Sequence, residues 1–142
     1  MLEAIQTVPR CDAIYSSDLT RCRILAERLA GRDGVRPVYD ERLREYDFGA
    51  WEGQQWSDIP RAQSDVWAAD YWNNAPPGGE CFADLHGRVA TALREVPPGA
   101  LIVCHAGVIR AAQIIQTGAT PADVFAQPVP HCQPISFLGT TV

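Results

Sequence analysis

One histidine stands where a buried strand is expected to end. In LIVCHAGVIRAA, residues 101–112, four apolar residues precede His105, and a glycine follows two positions later. An imidazole can bind a phosphoryl group, transfer a proton or act as a nucleophile. A histidine satisfied by local hydrogen bonds is the alternative, so the remaining residues must decide between these interpretations.

Arg21 is a candidate ligand for an anion. It lies in SSDLTR, in the first turn of a predicted helix that follows a short predicted strand. Ligands of open α/β sheets bind at the carboxyl ends of the strands, where the amino ends of helices expose N–H groups. If the two strands are neighbours, Arg21 and His105 face one crevice and form an anion site containing an imidazole. An arginine solvated at a helix start is the alternative.

The elements that must position these residues alternate along the chain. Apolar runs predict short strands at residues 12–15, 35–39, 100–104 and 134–138. Helical spacing and stop signals predict three main helices: 18–31 with Ser17 as N-cap and Gly31 as the stop, 82–96, and 108–116. This alternation predicts an α/β fold, a three-layer α/β/α sandwich with a mostly parallel sheet.

Composition narrows the function classes. The 142 residues are 46% hydrophobic, which predicts one domain over residues 1–142, and the net charge of −5 argues against nucleic acid or an anionic membrane as partner. All 12 basic residues are arginine. Five scattered cysteines predict neither disulfides nor a metal site, and no cofactor is expected. Without a leader or a membrane-spanning run, we expect a cytoplasmic protein.

Four motifs, in order along residues 13–112, resemble those of the histidine phosphatase family, also called phosphoglycerate-mutase-like. They are SSDLTRCRILAERLA, LREYDFGAWEG, PPGGECFADLHGRVATAL and LIVCHAGVIRAA. Within the family, the run LREYDFGAWEGQQWSDIPRAQSDVWAADYW, residues 43–72, is most similar to the α-ribazole phosphatases of cobalamin synthesis. The resemblance implies a phosphomonoester hydrolase of a small phosphorylated metabolite, α-ribazole 5′-phosphate, which acts through a phosphohistidine and needs no metal. A phosphoglycerate mutase is a weaker alternative.

The resemblance also implies residue roles. Arg21 matches the phosphate-binding arginine, Glu45 the glutamate that donates a proton and then activates water, and His105 the second histidine, which binds the transferring phosphoryl group. Ser17, Glu80 and Trp56 are candidate substrate contacts. For Glu80 we favour the alternative of a charge capping the following helix, and for the tryptophans the alternative is packing.

One family motif is absent. The family begins with a strand that ends in Arg-His-Gly, whose histidine is the nucleophile, and neither His86 nor His131 stands in such a context. About 30 residues, the size of a strand, loop and most of a helix, are therefore expected to be missing, with residues 1–8 as the remnant of the first helix. The resemblance implies that the missing strand is central.

We thus expect an N-terminally truncated domain lacking its first strand and nearly inactive as it stands. A homodimer or strand exchange that completes the sheet is a further hypothesis, and an inactive phosphate-binding or assembly module is the alternative from another class.

Overall fold

Three short parallel strands form the centre of the chain, whose residues 2–137 are described by a computed structural model. They are β1 (Ile14–Ser16), β2 (Pro37–Tyr39) and β3 (Leu101–Val103). Their order is β2-β1-β3, with Ile14 of β1 aligned to Pro37 of β2 and Leu101 of β3. All three carboxyl ends therefore lie at one edge of the sheet, as the sequence predicts.

Helices connect and cover the strands. Their bounds are α1 (Leu2–Thr7), α2 (Thr20–Asp33), α3 (Arg61–Ala69), α4 (Phe82–Glu95), α5 (Ala106–Thr117) and α6 (Pro121–Phe125). Three short 3₁₀ turns, at Glu41–Leu43, Gly49–Trp51 and Trp56–Asp58, lie between β2 and α3. The first turn follows β2 directly and leads into the segment that carries Glu45.

Alternation along the strands divides the core into two layers. Ile14 and Val103 pack with α2 on one face of the sheet, and the side chains of Ile5 and Val8 extend that layer. Tyr15 and Ile102 face the other side and pack against the core formed by α4 and α5. Successive strand residues point to opposite faces, so the α/β/α arrangement predicted from the sequence is confirmed.

Three local predictions are wrong. The N-cap of α2 is Leu19, because the backbone of residues 17–19 is still turning away from β1 and the Ser17 hydroxyl is engaged elsewhere. Gly31 lies inside α2, which ends at Gly34, whose φ of 73° is the left-handed conformation that glycine adopts without strain. Residues 134–137 form no strand; Leu138 lies outside the described residues.

The strands that precede Arg21 and His105 are neighbours, which is the arrangement that an anion site at these residues requires. β1 and β3 pair directly, with the Ser17 N–H donating to the Val103 carbonyl at 2.9 Å. Within residues 2–137 the sheet therefore has no internal gap, and the open edges are those of β2 and β3. Residues 2–7 are helical, as expected for residues 1–8. Of the helices in the described residues, none has the length and apolar character needed to cross a membrane.

Candidate active site

His105 lies at the junction of β3 and α5. Only Cys104 separates it from the end of the strand, and it is the N-cap residue of the helix, with 5% of its surface exposed. Its Nδ1 accepts a hydrogen bond from Arg21 Nε at 3.1 Å, and its Nε2 lies 2.9 Å from Ser17 Oγ. Because Nδ1 is an acceptor, the proton is assigned to Nε2, which donates to the serine. The three residues fix a neutral imidazole in one tautomer.

The surroundings of His105 oppose a positive charge on the ring. Burial, followed by the charges of Arg21 and Arg88, lowers the pKa of His105 from 6.5 to about 4. The imidazole is therefore neutral at pH 7. A negative charge bound beside the ring would oppose the effect of the two arginine charges.

Arg21 is the second residue of α2 and is exposed at the cleft. Apart from Nε, its guanidinium nitrogens have no hydrogen-bond partner among the described residues, whereas Arg44 and Arg88, which line the same cleft, pair with Asp18 and Glu80. A planar guanidinium with two free N–H edges can hold two phosphoryl oxygens at once. Arg21 is thus placed as an anion ligand.

Glu45 is tied to the helix that follows His105. Its Oε1 accepts hydrogen bonds from the backbone N–H groups of Tyr46 and Gly107, each at 2.9 Å. The Gly107 amide lies in the first turn of α5, where N–H groups have no partner within the helix. A Cβ atom at position 107 would collide with this same oxygen, which explains the glycine. The carboxylate and the imidazole are therefore positioned by one helix start.

Arg88 is a positioning residue that the sequence reasoning missed. From α4 it donates to both carboxylate oxygens of Glu80, at 3.1 Å and 2.5 Å. Its remaining N–H groups donate to the carbonyls of Arg42, Arg44 and Glu45 at 2.7–3.1 Å. It thereby holds the segment carrying Glu45. The eight-residue spacing of this ion pair is not a local helix pattern, so no sequence signal pointed to it.

The candidate substrate contacts differ in their position relative to the cleft. Ser17 is fully buried against His105 and cannot touch a substrate in this arrangement. Glu80 lines the cleft, but its carboxylate pairs with Arg88 and accepts from the Asp47 N–H, so the helix-capping role that we favoured is wrong. Asp84 instead receives the N–H of Cys81 at the start of α4.

Trp56 is 58% exposed and belongs to an aromatic patch near the cleft. Its ring centre lies 6.1 Å from Phe48 and 5.7 Å from Trp67. Phe48 lines the cleft, whereas Trp56 does not. The side chain could therefore reach only the outer part of a bound substrate, and Trp72 packs away from the site against His86 and Phe82.

These groups surround a cleft of about 590 Å³. Its walls include Arg21, Glu45, Glu80 and Arg88, but His105 lies behind Arg21 and does not line it. An anion that reaches the imidazole must therefore displace Arg21 Nε from Nδ1. Of the described residues, no group of three or more His, Cys, Asp or Glu side chains is arranged to hold a metal ion.

The other two histidines of the described residues, His86 and His131, do not line this cleft. His86 lies on α4, and its ring centre is 5.3 Å from that of Trp72. His131 lies in an exposed turn. Cys22 Sγ is 3.4 Å from His105 Nε2, but burial raises the pKa of this thiol to about 11, so it is protonated and a poor nucleophile. The site combines an anion ligand, an imidazole and a carboxylate without a clear nucleophile.

The sequence was compared with those of known protein families. The family described as the histidine phosphatase superfamily, branch 1, matches residues 2–137. The chain belongs to this superfamily. The four motifs are therefore those of the family, as the resemblance indicated, and Arg21, Glu45 and His105 lie where those motifs bring three loops together.

Individual relatives carry different names. The chain is 32% identical over 116 residues to a Hydrogenobacter thermophilus protein provisionally named phosphoserine phosphatase 2, and the match covers 77% of this chain and 57% of that protein. It is 28% identical over 141 residues to a 2,3-bisphosphoglycerate-dependent phosphoglycerate mutase of Azorhizobium caulinodans, covering 89% and 68%. The chain thus spans 57–68% of the length of these relatives.

A solved structure confirms the fold. The α-ribazole phosphatase of Shigella flexneri superposes with a TM-score of 0.80 and 21% identity, over 91% of this chain and 69% of that one. At this identity the likeness establishes the phosphoglycerate-mutase-like fold alone.

Proposed function

We propose that this protein is a phosphomonoester hydrolase whose phosphoryl site lies at Arg21 and His105. The observation that carries the proposal is the convergence of Arg21, Glu45 and His105, from the segments after β1, β2 and β3, at the carboxyl edge of one sheet. Membership of the superfamily and a relative named as a phosphatase support the same chemistry.

In this mechanism the free N–H groups of Arg21 bind two non-bridging oxygens of the phosphoryl group. As the anion displaces Arg21 Nε from Nδ1, His105 takes up a proton and donates from both ring nitrogens, to the anion and to Ser17. Charge that develops on the transferring phosphoryl group is then met by two cationic groups. Arg88 keeps its contacts with the loop and contributes its charge from a fixed position.

Glu45 carries the proton transfers. Protonated, it gives its proton to the leaving oxygen, and the resulting carboxylate then accepts a proton from the attacking water. The N–H groups of Tyr46 and Gly107 hold that carboxylate in place for the second step.

The nucleophile is the part of the mechanism that this chain does not supply. We propose that a histidine from a segment outside the 142 residues accepts the phosphoryl group, either from the same protein or from a second chain. Strand exchange at the open edge of β3 would bring such a segment beside His105, because β3 leads directly into that residue. The chain alone is then expected to hydrolyse phosphomonoesters no faster than its His105→Ala variant.

We propose α-ribazole 5′-phosphate as the substrate. We also propose that the protein is cytoplasmic. Support for the substrate comes from the sequence likeness over residues 43–72 and from the aromatic patch of Phe48, Trp56 and Trp67, on which an aromatic base could stack. Replacing each tryptophan with alanine in an active form, with no change in substrate affinity, would remove the stacking hypothesis.

Measurements of phosphate binding and of turnover distinguish the hydrolase from the mutase and from the non-catalytic module. Inorganic phosphate is titrated into the chain by calorimetry, with Arg21→Met as the test and Arg28→Met, an exposed arginine of the same helix, as the control. We expect Arg21→Met to weaken phosphate binding at least tenfold and Arg28→Met to leave it unchanged. An unaffected affinity in Arg21→Met would contradict the phosphate site.

Turnover is measured with α-ribazole 5′-phosphate and with 3-phosphoglycerate, using a form of the protein that includes the missing histidine. Hydrolysis supports the proposal. Conversion of 3-phosphoglycerate to 2-phosphoglycerate would favour the mutase alternative, which has a named relative. Phosphate binding without turnover in every form would favour the binding or assembly module and refute the hydrolase.

A further inference from the structure

A second, smaller cavity of about 110 Å³ opens beside the catalytic cleft. Glu45, Tyr46 and Phe48 line both spaces, so a group bound in the cleft can extend into the smaller one. The other walls are mainly aromatic and come from α3, the turn after it, α4, α5 and α6: Trp67, Tyr71, Phe82, Ala106, Gly107, Arg110 and Phe125. We call this space the aromatic pocket.

Arg110 lines the aromatic pocket, brings a positive charge to it and carries a donor that has no partner. It lies on α5, one turn after Ala106, and its guanidinium carbon is 5.1 Å from the centre of the Phe125 ring. Its Nε is buried and has no hydrogen-bond partner. Among residues 2–137 no carboxylate lies within ion-pair distance of it.

Such a group is costly to leave unmatched, because a buried N–H without a partner loses its hydration and gains nothing in return. The cation–π contact with Phe125 offsets the charge but leaves Nε–H unsatisfied. The walls are flat aromatic rings, and a cavity of comparable size, roughly 150 Å³, is known to bind benzene. The complement to this pocket is therefore a planar ring that bears a hydrogen-bond acceptor.

We propose that the aromatic pocket holds part of the leaving group of the substrate and that Arg110 is its specificity-determining residue. The bound group is an aromatic ring whose acceptor atom receives the Arg110 Nε–H, while the phosphoryl group is held by Arg21 at the adjoining cleft. Glu45 lines both spaces, so it stands at the ester oxygen that joins the two parts. This assignment rests on the proposed function and adds to it the pocket that holds the aromatic group and the residue that selects it.

The test uses benzoate, a ring with a strong acceptor, and toluene, the same ring without one. Both are titrated into the isotopically labelled chain and followed by NMR at the Gly107 amide, the Trp67 indole N–H and the Arg110 Nε–H. We expect saturable shifts at all three for benzoate. In Arg110→Met, benzoate should bind at least tenfold more weakly while toluene changes less than twofold. Arg36→Met, an exposed arginine outside the pocket, is the matched charge control.

Three results would overturn the proposal: benzoate leaving the Gly107 and Trp67 signals unchanged, Arg110→Met weakening both ligands equally, or Arg36→Met weakening benzoate as much as Arg110→Met does. The wild-type Arg110 Nε–H signal gives an answer even if a variant fails to fold, since a bound acceptor must shift it. Benzoate carries no phosphoryl group. A failure here is therefore distinguishable from failure of the phosphate site, which the phosphate titration reports on the same sample.

Discussion

The buried imidazole makes a quantitative prediction about stability and pH. The pKa of His105 is about 4 in the folded chain and 6.5 when the residue is exposed on unfolding. Between these values the unfolded chain binds a proton that the folded chain excludes, so stability falls as the pH is lowered. The contribution is fully present above pH 6.5 and is lost as the pH falls toward 4. At about 1.36 kcal/mol per pH unit, the total is about 3 kcal/mol, with about 2 kcal/mol already lost at pH 5.

His105→Gln removes the titrating group and keeps a polar side chain at the position. The assay is urea unfolding at several pH values from 7 to 4.5, followed by tryptophan fluorescence. Between pH 7 and pH 5, we expect the unfolding free energy of the wild type to fall by about 2 kcal/mol more than that of the variant. The Arg32 guanidinium lowers the pKa of Asp33 to about 2, so that carboxylate does not titrate in this window.

Parallel profiles for the two proteins would refute the reasoning. So would an NMR titration in which the His105 ring protonates near pH 6.5, because burial and the two arginine charges would then have no net effect. The same titration does not depend on the stability of the variant, so it provides an independent reading of the pKa.

Three further outcomes follow from the contacts of the site. Arg88→Met should destabilise the fold by roughly 2–4 kcal/mol in urea unfolding, since it leaves a half-buried carboxylate and loop carbonyls without donors; a loss below 0.5 kcal/mol would contradict its positioning role. Gly107→Ala should displace the Glu45 carboxylate, visible as a changed Tyr46 amide shift, whereas the matched Gly87→Ala, which meets no atom within 4 Å in α4, should leave that shift unchanged and stabilise the helix by up to about 1 kcal/mol. An unmoved Tyr46 signal in Gly107→Ala would show that the contact is dispensable. Adding an N-terminal segment that contains Arg-His-Gly should raise phosphomonoesterase activity at least 10³-fold over the 142-residue chain, because it would supply a nucleophile, and equal activities would refute the proposed role of that segment.

The sequence predicted the parts of the fold that depend on local periodicity. The apolar run before His105 and the spacing of Phe82, Leu85 and Val89 indicated β3 and α4 correctly, because one buried face decides each pattern. It failed where the deciding interaction is distant. Gly31 looked like a helix stop, yet α2 runs on to Gly34, and Ser17 looked like a cap although its hydroxyl contacts His105 from 88 residues away.

The residues of the candidate site likewise divide into those that the sequence predicted and those that it did not. Arg21, Glu45 and His105 were found through motifs whose residues share a chemical task, and the structure places all three at one sheet edge. Arg88 and Arg110 could not be found, because their roles depend on carbonyls and rings supplied by segments far away along the chain. The covering of His105 by Arg21 was also invisible in the sequence, since side-chain geometry determines it.

We propose above that Arg21 and His105 form a phosphoryl site, and such a site takes up a proton at His105 when it is filled. The most direct measurement is the ¹⁵N NMR spectrum of the His105 ring at pH 7, recorded without and with saturating inorganic phosphate. We expect a neutral ring with the proton on Nε2 in the free chain, and protonation of both nitrogens when phosphate binds. An imidazole that stays neutral with unchanged ring shifts at saturation would contradict it.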